Sequence, residues 1–209
     1  MCMYKTFYAW EKIDSKLWKG FLIDRDELLA RRGMCFGMVI EWIRWSVDTQ
    51  VKSAKSRIAG VVDAGSLLDA KSSMQRLRSD VYDKVPKGNP STQLAFITRG
   101  MSGLVSGKGL AVYGFLEGTT KQTLADILVH IPVTHDSQLG EHWYLHLDMR
   151  SSAHAVAFHA KENETLFFDP EVGEMSLKNE PREFKLLVQL LWHHYKPTQW
   201  TLRRVRTRW

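Results

Sequence analysis

The sequence predicts an α+β domain, with N-terminal helices packed on an antiparallel β-sheet. Apolar residues in the first half recur at helical spacing. The second half holds short segments rich in strand formers and bounded by turn residues. Helical segments come first and strands afterwards, the order of an α+β fold rather than of alternating βαβ units. At 209 residues, with no internal repeat and no linker-like stretch, the chain is expected to form one domain, 1–209, with a sizeable core.

The elements follow in order. From Cys35 to Val47, positions 35, 38, 39, 42 and 43 are Cys or apolar and follow the pattern of a buried helix face. Leu67, Ala70, Met74, Leu77 and Val81 predict a second helix, with Ser66 as its N-cap. Leu94, Ile97, Met101 and Leu104 predict a third, and residues 121–131 a short fourth. Strands are expected at 109–116, 142–149, 153–159 and 165–169, then a helix at 181–195 and a closing strand at 198–208. Residues 84–92 and 132–140 read as surface turns.

Composition narrows the function classes. Hydrophobic residues make up 44% of the chain and charged residues 25%, as in folded globular proteins and unlike disordered ones. No run of ~18 apolar residues exists, so no transmembrane helix is expected. The N-terminal stretch MCMYKTFYAWEKIDSK lacks an apolar h-region, so no cleaved secretory signal is expected either, which leaves export without one open. The two cysteines, Cys2 and Cys35, predict a free thiol rather than a disulfide framework. Net charge is +6, concentrated in Arg203, Arg204, Arg206 and Arg208. That cluster is read as a solvated terminal strand, and nucleic acid is not the expected partner.

Three short segments carry chemistry. Gly33-Met34-Cys35-Phe36-Gly37 places Cys35 at a helix N-terminus, where free backbone N–H groups stabilise an anion such as a thiolate or a developing oxyanion. Taken alone, Cys35 reads rather as a buried structural cysteine. His154 opens a strand among small residues in SSAHAVAFHA. A turn at 161–164 returns the chain through Thr165-Leu166-Phe167-Phe168-Asp169-Pro170. If 160 pairs with 165, Asp169 falls opposite Val156, two residues from His154 and on the same face. The two are then diagonal neighbours at roughly 7–8 Å between backbone positions, a gap that side chains can close. Alone, His154 reads rather as a satisfied core histidine, and Asp169 as an Asp-Pro turn residue. Together, Cys35 as nucleophile, His154 as base and Asp169 as orienting carboxylate form a Cys–His–Asp arrangement.

The blocks GMCFGMVIEWIRW, SSAHAVAFHA and FFDPEVGEM, in this order, resemble the YopT-like effector cysteine peptidases of bacterial type III secretion, a group within the papain-like fold. The resemblance rests on the cysteine opening a helix that contains Trp42, on His154 opening a strand, and on Phe168, Asp169, Pro170 and Gly173. It implies a papain-like fold and a secreted toxin or effector that cleaves target proteins in the cytosol of a recipient cell, after export that uses no signal peptide. It also implies a protein substrate, a secretion chaperone or immunity protein as partner, and no cofactor. Residues 22–34 contain no Gln or Asn to serve as the usual oxyanion donor; Asp24, Asp26, Arg31 and Arg32 are the polar candidates there. Met38-Val39 also stands where the family tends to show Leu-Ser.

Two other classes compete. The same triad supports glutamine deamidation or acyl transfer, because water, an amine or an alcohol can each accept the acyl group. A basic binding module with no catalysis is the other. A metal site is not expected: His142 and His146 on one strand stand ~13 Å apart, too far to share a zinc with ligands at ~2 Å. No Gly-rich phosphate loop is present.

Overall fold

The computed structural model describes residues 21–22, 34–47, 53–85, 90–131, 141–150 and 152–207. A short strand β1 (Phe21–Leu22) precedes helices α1 (Cys35–Val47), α2 (Ala54–Val62) and α3 (Ala64–Arg76). A π-helical turn (Leu77–Val81) and a 3-10 turn (Tyr82–Lys84) extend α3 towards α4 (Pro90–Ser106). Then come β2 (Leu110–Gly118), α5 (Lys121–His130), β3 (Glu141–Asp148), β4 (Ala153–Ala160), β5 (Glu164–Asp169), β6 (Gly173–Lys178), α6 (Pro181–Tyr195) and β7 (Gln199–Thr207). The strands form one antiparallel sheet in the order β1-β6-β5-β4-β3-β7-β2.

Both faces of this sheet are covered, which explains why its central strands read as almost unbroken apolar runs. On one face, Tyr144, Ala155, Ala157, Leu166 and Phe168 pack against the N-terminal helices through Met38, Val39, Trp42, Ile58 and Ala70. On the other, Leu145, Leu147, Val156, Phe158 and Phe167 meet Leu124 and Leu128 of α5 and Leu187, Val188 and Leu191 of α6. Alternation along each strand sends successive side chains to opposite layers.

Helix α1 is buried on more than the one face its apolar spacing predicts: every residue from Phe36 to Ile43 is inaccessible. The sheet lies on one side of it and α3 on another. Gly37 allows the second contact, because a Cβ there would collide with the backbone carbonyl of Ala70. Trp42 stacks on Phe168 with ring centroids 5.4 Å apart and planes 6° from parallel. Its indole N–H donates to Glu174 at 2.7 Å. Arg57 of α2 grips the same carboxylate twice, at 2.8 and 2.5 Å. This buried cluster ties α1 and α2 to β6.

Several expectations need correction. Helix α3 starts two residues before Ser66, and its N-cap is Asp63, which accepts from the Gly65 amide at 3.0 Å. The turn expected at 84–92 is cut short because α4 begins at Pro90, whose missing N–H costs nothing in a first turn. The basic C-terminal segment is not a solvated strand. β7 lies inside the sheet between β3 and β2. Arg203 is 1% exposed, with its guanidinium 5.8 Å from the centre of the Tyr144 ring. Arg204 and Arg206 both pair with Glu141. Arg208, Cys2, the 132–140 turn and the candidate oxyanion donors Asp24, Asp26, Arg31 and Arg32 lie outside the described residues.

Candidate active site

The three segments singled out in the sequence converge at one end of the sheet. Cys35 is the first residue of α1, half-buried and free of any disulfide, and the first turn of that helix contains no acidic residue. His154 is the second residue of β4 and is 3% exposed. Asp169 is the last residue of β5 and is fully buried. The β4–β5 hairpin pairs Ala160 with Thr165 and Ala157 with Phe168, the register expected from a turn at 161–164. Asp169 therefore reaches His154 diagonally, and His154 Nε2 lies 3.0 Å from Asp169 Oδ1.

The Asp169 carboxylate is fully engaged. Oδ1 also accepts from the Glu171 amide at 2.8 Å, and Oδ2 accepts from the Tyr195 hydroxyl at 2.7 Å. Its own carbonyl accepts from Val172 N at 3.0 Å, so Asp169 serves the Asp-Pro turn as well. Burial, the largest influence, pushes this carboxyl up, but the facing His154 and the three donors outweigh it and hold it below the usual carboxylate range. For His154 the balance is parallel. Burial pulls the imidazole down; the Asp169 charge and hydrogen bond, joined by a hydrogen bond and charge from Cys35, raise it well above 6.5. With Nε2 committed to Asp169, Nδ1 is the ring nitrogen left for the thiol.

Three neighbours carry no sequence signal of their own. Tyr195 stacks on His154 with ring centroids 4.1 Å apart. The half-exposed Glu171 places Oε1 4.0 Å from His154 Nδ1 and Oε2 3.5 Å from His194 Nε2. Tyr195 and His194 close helix α6, far along the chain from the cysteine and histidine blocks.

The remaining histidines have other surroundings. His142 and His159 stack on each other with centroids 4.0 Å apart in the sheet interior. His146 sits between the Tyr144 hydroxyl at 2.8 Å and Asp148 at 3.0 Å. Among the described residues, no three His, Cys, Asp or Glu side chains are grouped to hold a metal ion. No described helix is long and apolar enough to cross a membrane.

A cysteine at the start of a buried helix, facing a histidine and a carboxylate on an antiparallel sheet, is the layout of the papain-like fold, and this chain has that fold. It belongs to the Peptidase_C58 family, described as the Yersinia/Haemophilus virulence surface antigen family, whose sequence pattern matches residues 21–207. The resemblance to YopT-like effector cysteine peptidases read from the three blocks therefore holds. The crystal structure of the Pseudomonas avirulence protein AvrPphB is similar with a TM-score of 0.70 at 16% identity, covering 92% of this chain and 99% of that one. The cysteine protease-like domain PatoxP of the Photorhabdus asymbiotica toxin PaTox is similar with a TM-score of 0.51 at 11% identity, covering 97% of this chain and 59% of that one. At such identities the likeness is one of fold. Curated protein sequences gave no match.

Proposed function

We propose that this chain is an effector cysteine peptidase that cleaves proteins of a recipient cell through Cys35, His154 and Asp169. The observation that carries the proposal is the buried His154–Asp169 hydrogen bond at 3.0 Å, in a site where Cys35 lies close enough to help raise the His154 imidazole. In this mechanism His154 takes the thiol proton, and the Cys35 thiolate attacks the scissile carbonyl carbon to form a C–S bond. The α1 N-terminal amides stabilise the oxyanion. As the C–N bond breaks, His154 Nδ1 gives its proton to the departing amine and leaves a thioester. Water, deprotonated by His154, then attacks the thioester, releasing the acid and restoring the thiol. Asp169 holds the tautomer and orientation of His154 throughout.

Export that uses no cleaved signal peptide, a recipient-cell target, and a secretion chaperone or immunity protein as partner belong to the same proposal. A basic binding module is the weaker reading, because Arg203, Arg204 and Arg206 are engaged within the fold.

The test is expression of the wild type, Cys35→Ala and His154→Ala in bacterial and eukaryotic hosts. Toxicity in one host that both variants abolish supports the triad and locates the target. Equal toxicity of all three rejects it. The mass of the modified target then separates the acceptors: two fragments for a peptidase, a gain of about one dalton for a deamidase, and a larger adduct for a transferase.

A further inference from the structure

Tyr195 has no part in the steps above, yet it touches both members of the His–Asp pair. Its hydroxyl donates to Asp169 Oδ2 at 2.7 Å, the oxygen that His154 does not use. Its ring lies on the imidazole, with centroids 4.1 Å apart and planes 18° from parallel.

The phenol is itself held firmly. It ends α6, whose Phe184, Leu187, Val188 and Leu191 are buried in the core. Lys196 follows in the left-handed conformation (φ 48°), and its amide donates to Trp192 O at 3.1 Å, so the helix stops directly after Tyr195. His194 meets the Tyr195 ring edge-on at 4.3 Å and 75°. Burial, the largest influence, and the charges of Asp169 and Glu171 push the phenol well above its ordinary range, so the hydroxyl keeps its proton and remains a donor.

We propose that Tyr195 is the positioning residue of the site: the hydroxyl fixes the carboxylate, the ring fixes the imidazole, and Nδ1 stays turned towards Cys35. The proposal rests on the triad reading above. A single hydrogen bond from Nε2 leaves an imidazole free to swing about its Cβ–Cγ bond. A ring stacked at 4.1 Å blocks that swing and keeps water from that face. The two parts of the side chain then have opposite electrostatic effects. Without the hydroxyl, Asp169 loses one of its side-chain donors, its charge concentrates towards His154, and the imidazolium holds its proton more tightly. Without the ring as well, the imidazole is solvated and mobile, and the proton is held less tightly.

The experiment follows the rate of iodoacetamide alkylation of Cys35 from pH 4 to 10 in the full chain, with Cys2→Ser as parent to remove the second thiol. Tyr195→Phe is expected to move the alkaline inflection, where His154 loses its proton, up by about half a pH unit. Tyr195→Leu is expected to move it down and to slow alkylation at pH 7 by about tenfold. A side chain that merely packs would lower the melting temperature and leave both inflections in place; profiles that superimpose on the parent overturn the proposal. If Tyr195→Leu does not fold, Tyr195→Phe decides alone. His154→Ala separates the two levels of argument. If it removes the inflection while the Tyr195 variants retain it unmoved, only the positioning role fails. If it too leaves the profile unchanged, the triad itself fails.

Discussion

Glu174 offers the sharpest energetic test of how the helical layer is fixed to the sheet. It is 1% exposed and Arg57 is 5% exposed, and the two join through contacts of 2.8 and 2.5 Å. Trp42 adds a third hydrogen bond to the same carboxylate. Glu174→Leu breaks all three contacts at once and removes the carboxylate that pairs with the buried Arg57 guanidinium. Breaking one side of a buried ion pair costs about 3–5 kcal/mol. Against the roughly 5–15 kcal/mol that holds a domain together, this is a large fraction. Replacing both partners with apolar residues should cost far less, because no charge is stranded. The assay is a double-mutant cycle by urea unfolding with Glu174→Leu, Arg57→Met and the pair. The expected coupling exceeds about 2 kcal/mol, with the double variant more stable than Glu174→Leu alone. A Glu174→Leu cost below about 1 kcal/mol, or a double variant whose loss equals the sum of the singles, would refute the reasoning.

Three further outcomes follow from the geometry. Asp169→Asn should keep the fold but remove the charge that sustains the His154 imidazolium; Cys35-dependent target cleavage should fall roughly 10²–10⁴-fold, and an unchanged rate would remove Asp169 from the mechanism. The stacked pair His142 and His159 should make the protein acid-sensitive: burial first, then the His159 and Lys161 charges, hold His142 well below 6.5, while burial, Lys161 and Arg57 hold His159 at about 4. Both are bound neutral in the fold, so their contribution is present above pH 6.5 and is lost as pH falls towards 4. For His159 it amounts to about 3 kcal/mol, and thermal melts from pH 7.5 to 4.5 should show a shallower decline in His159→Leu than in the wild type. Finally, Gly37→Ala and Gly103→Ala should have opposite signs. The first drives a Cβ into the Ala70 carbonyl and should cost about 1–3 kcal/mol. The second adds one to an exposed helical position with nothing within 4 Å and should gain about 0.5–1 kcal/mol in chemical denaturation.

What the sequence made legible depended on how locally each feature is determined. His154 and Asp169 sit in one hairpin, 15 residues apart, and a four-residue turn sets their register, so counting along the chain places them on one face. Helix α6 was equally plain, because its apolar face repeats cleanly between Pro181 and Tyr195. Tyr195 carried no comparable signal. Its partner Asp169 is 26 residues away across a strand and a helix, and nothing local distinguishes a tyrosine that ends a helix over a carboxylate from one that ends it in solvent.

Three elements are absent from the sequence reading: β1, which spans only two residues, and α2 and β6, each of which carries a charge at an inward position. In α2, Arg57 occupies an inward position, so the apolar stripe looks broken; in β6, Glu174 points inward on the face opposite Met175 and Leu177, so that buried face reads as a solvent-facing one. Each residue looks like a solvent-facing charge until the other is placed opposite it, 117 positions along the chain. Arg203 repeats the lesson on β7: its charge argued for a solvated strand, whereas its guanidinium lies over Tyr144 in the interior. Periodicity assumes that charge means water. It fails at inward positions where a partner or an aromatic face takes the place of water, and here those positions join the cysteine-bearing helix layer to the sheet that carries His154 and Asp169.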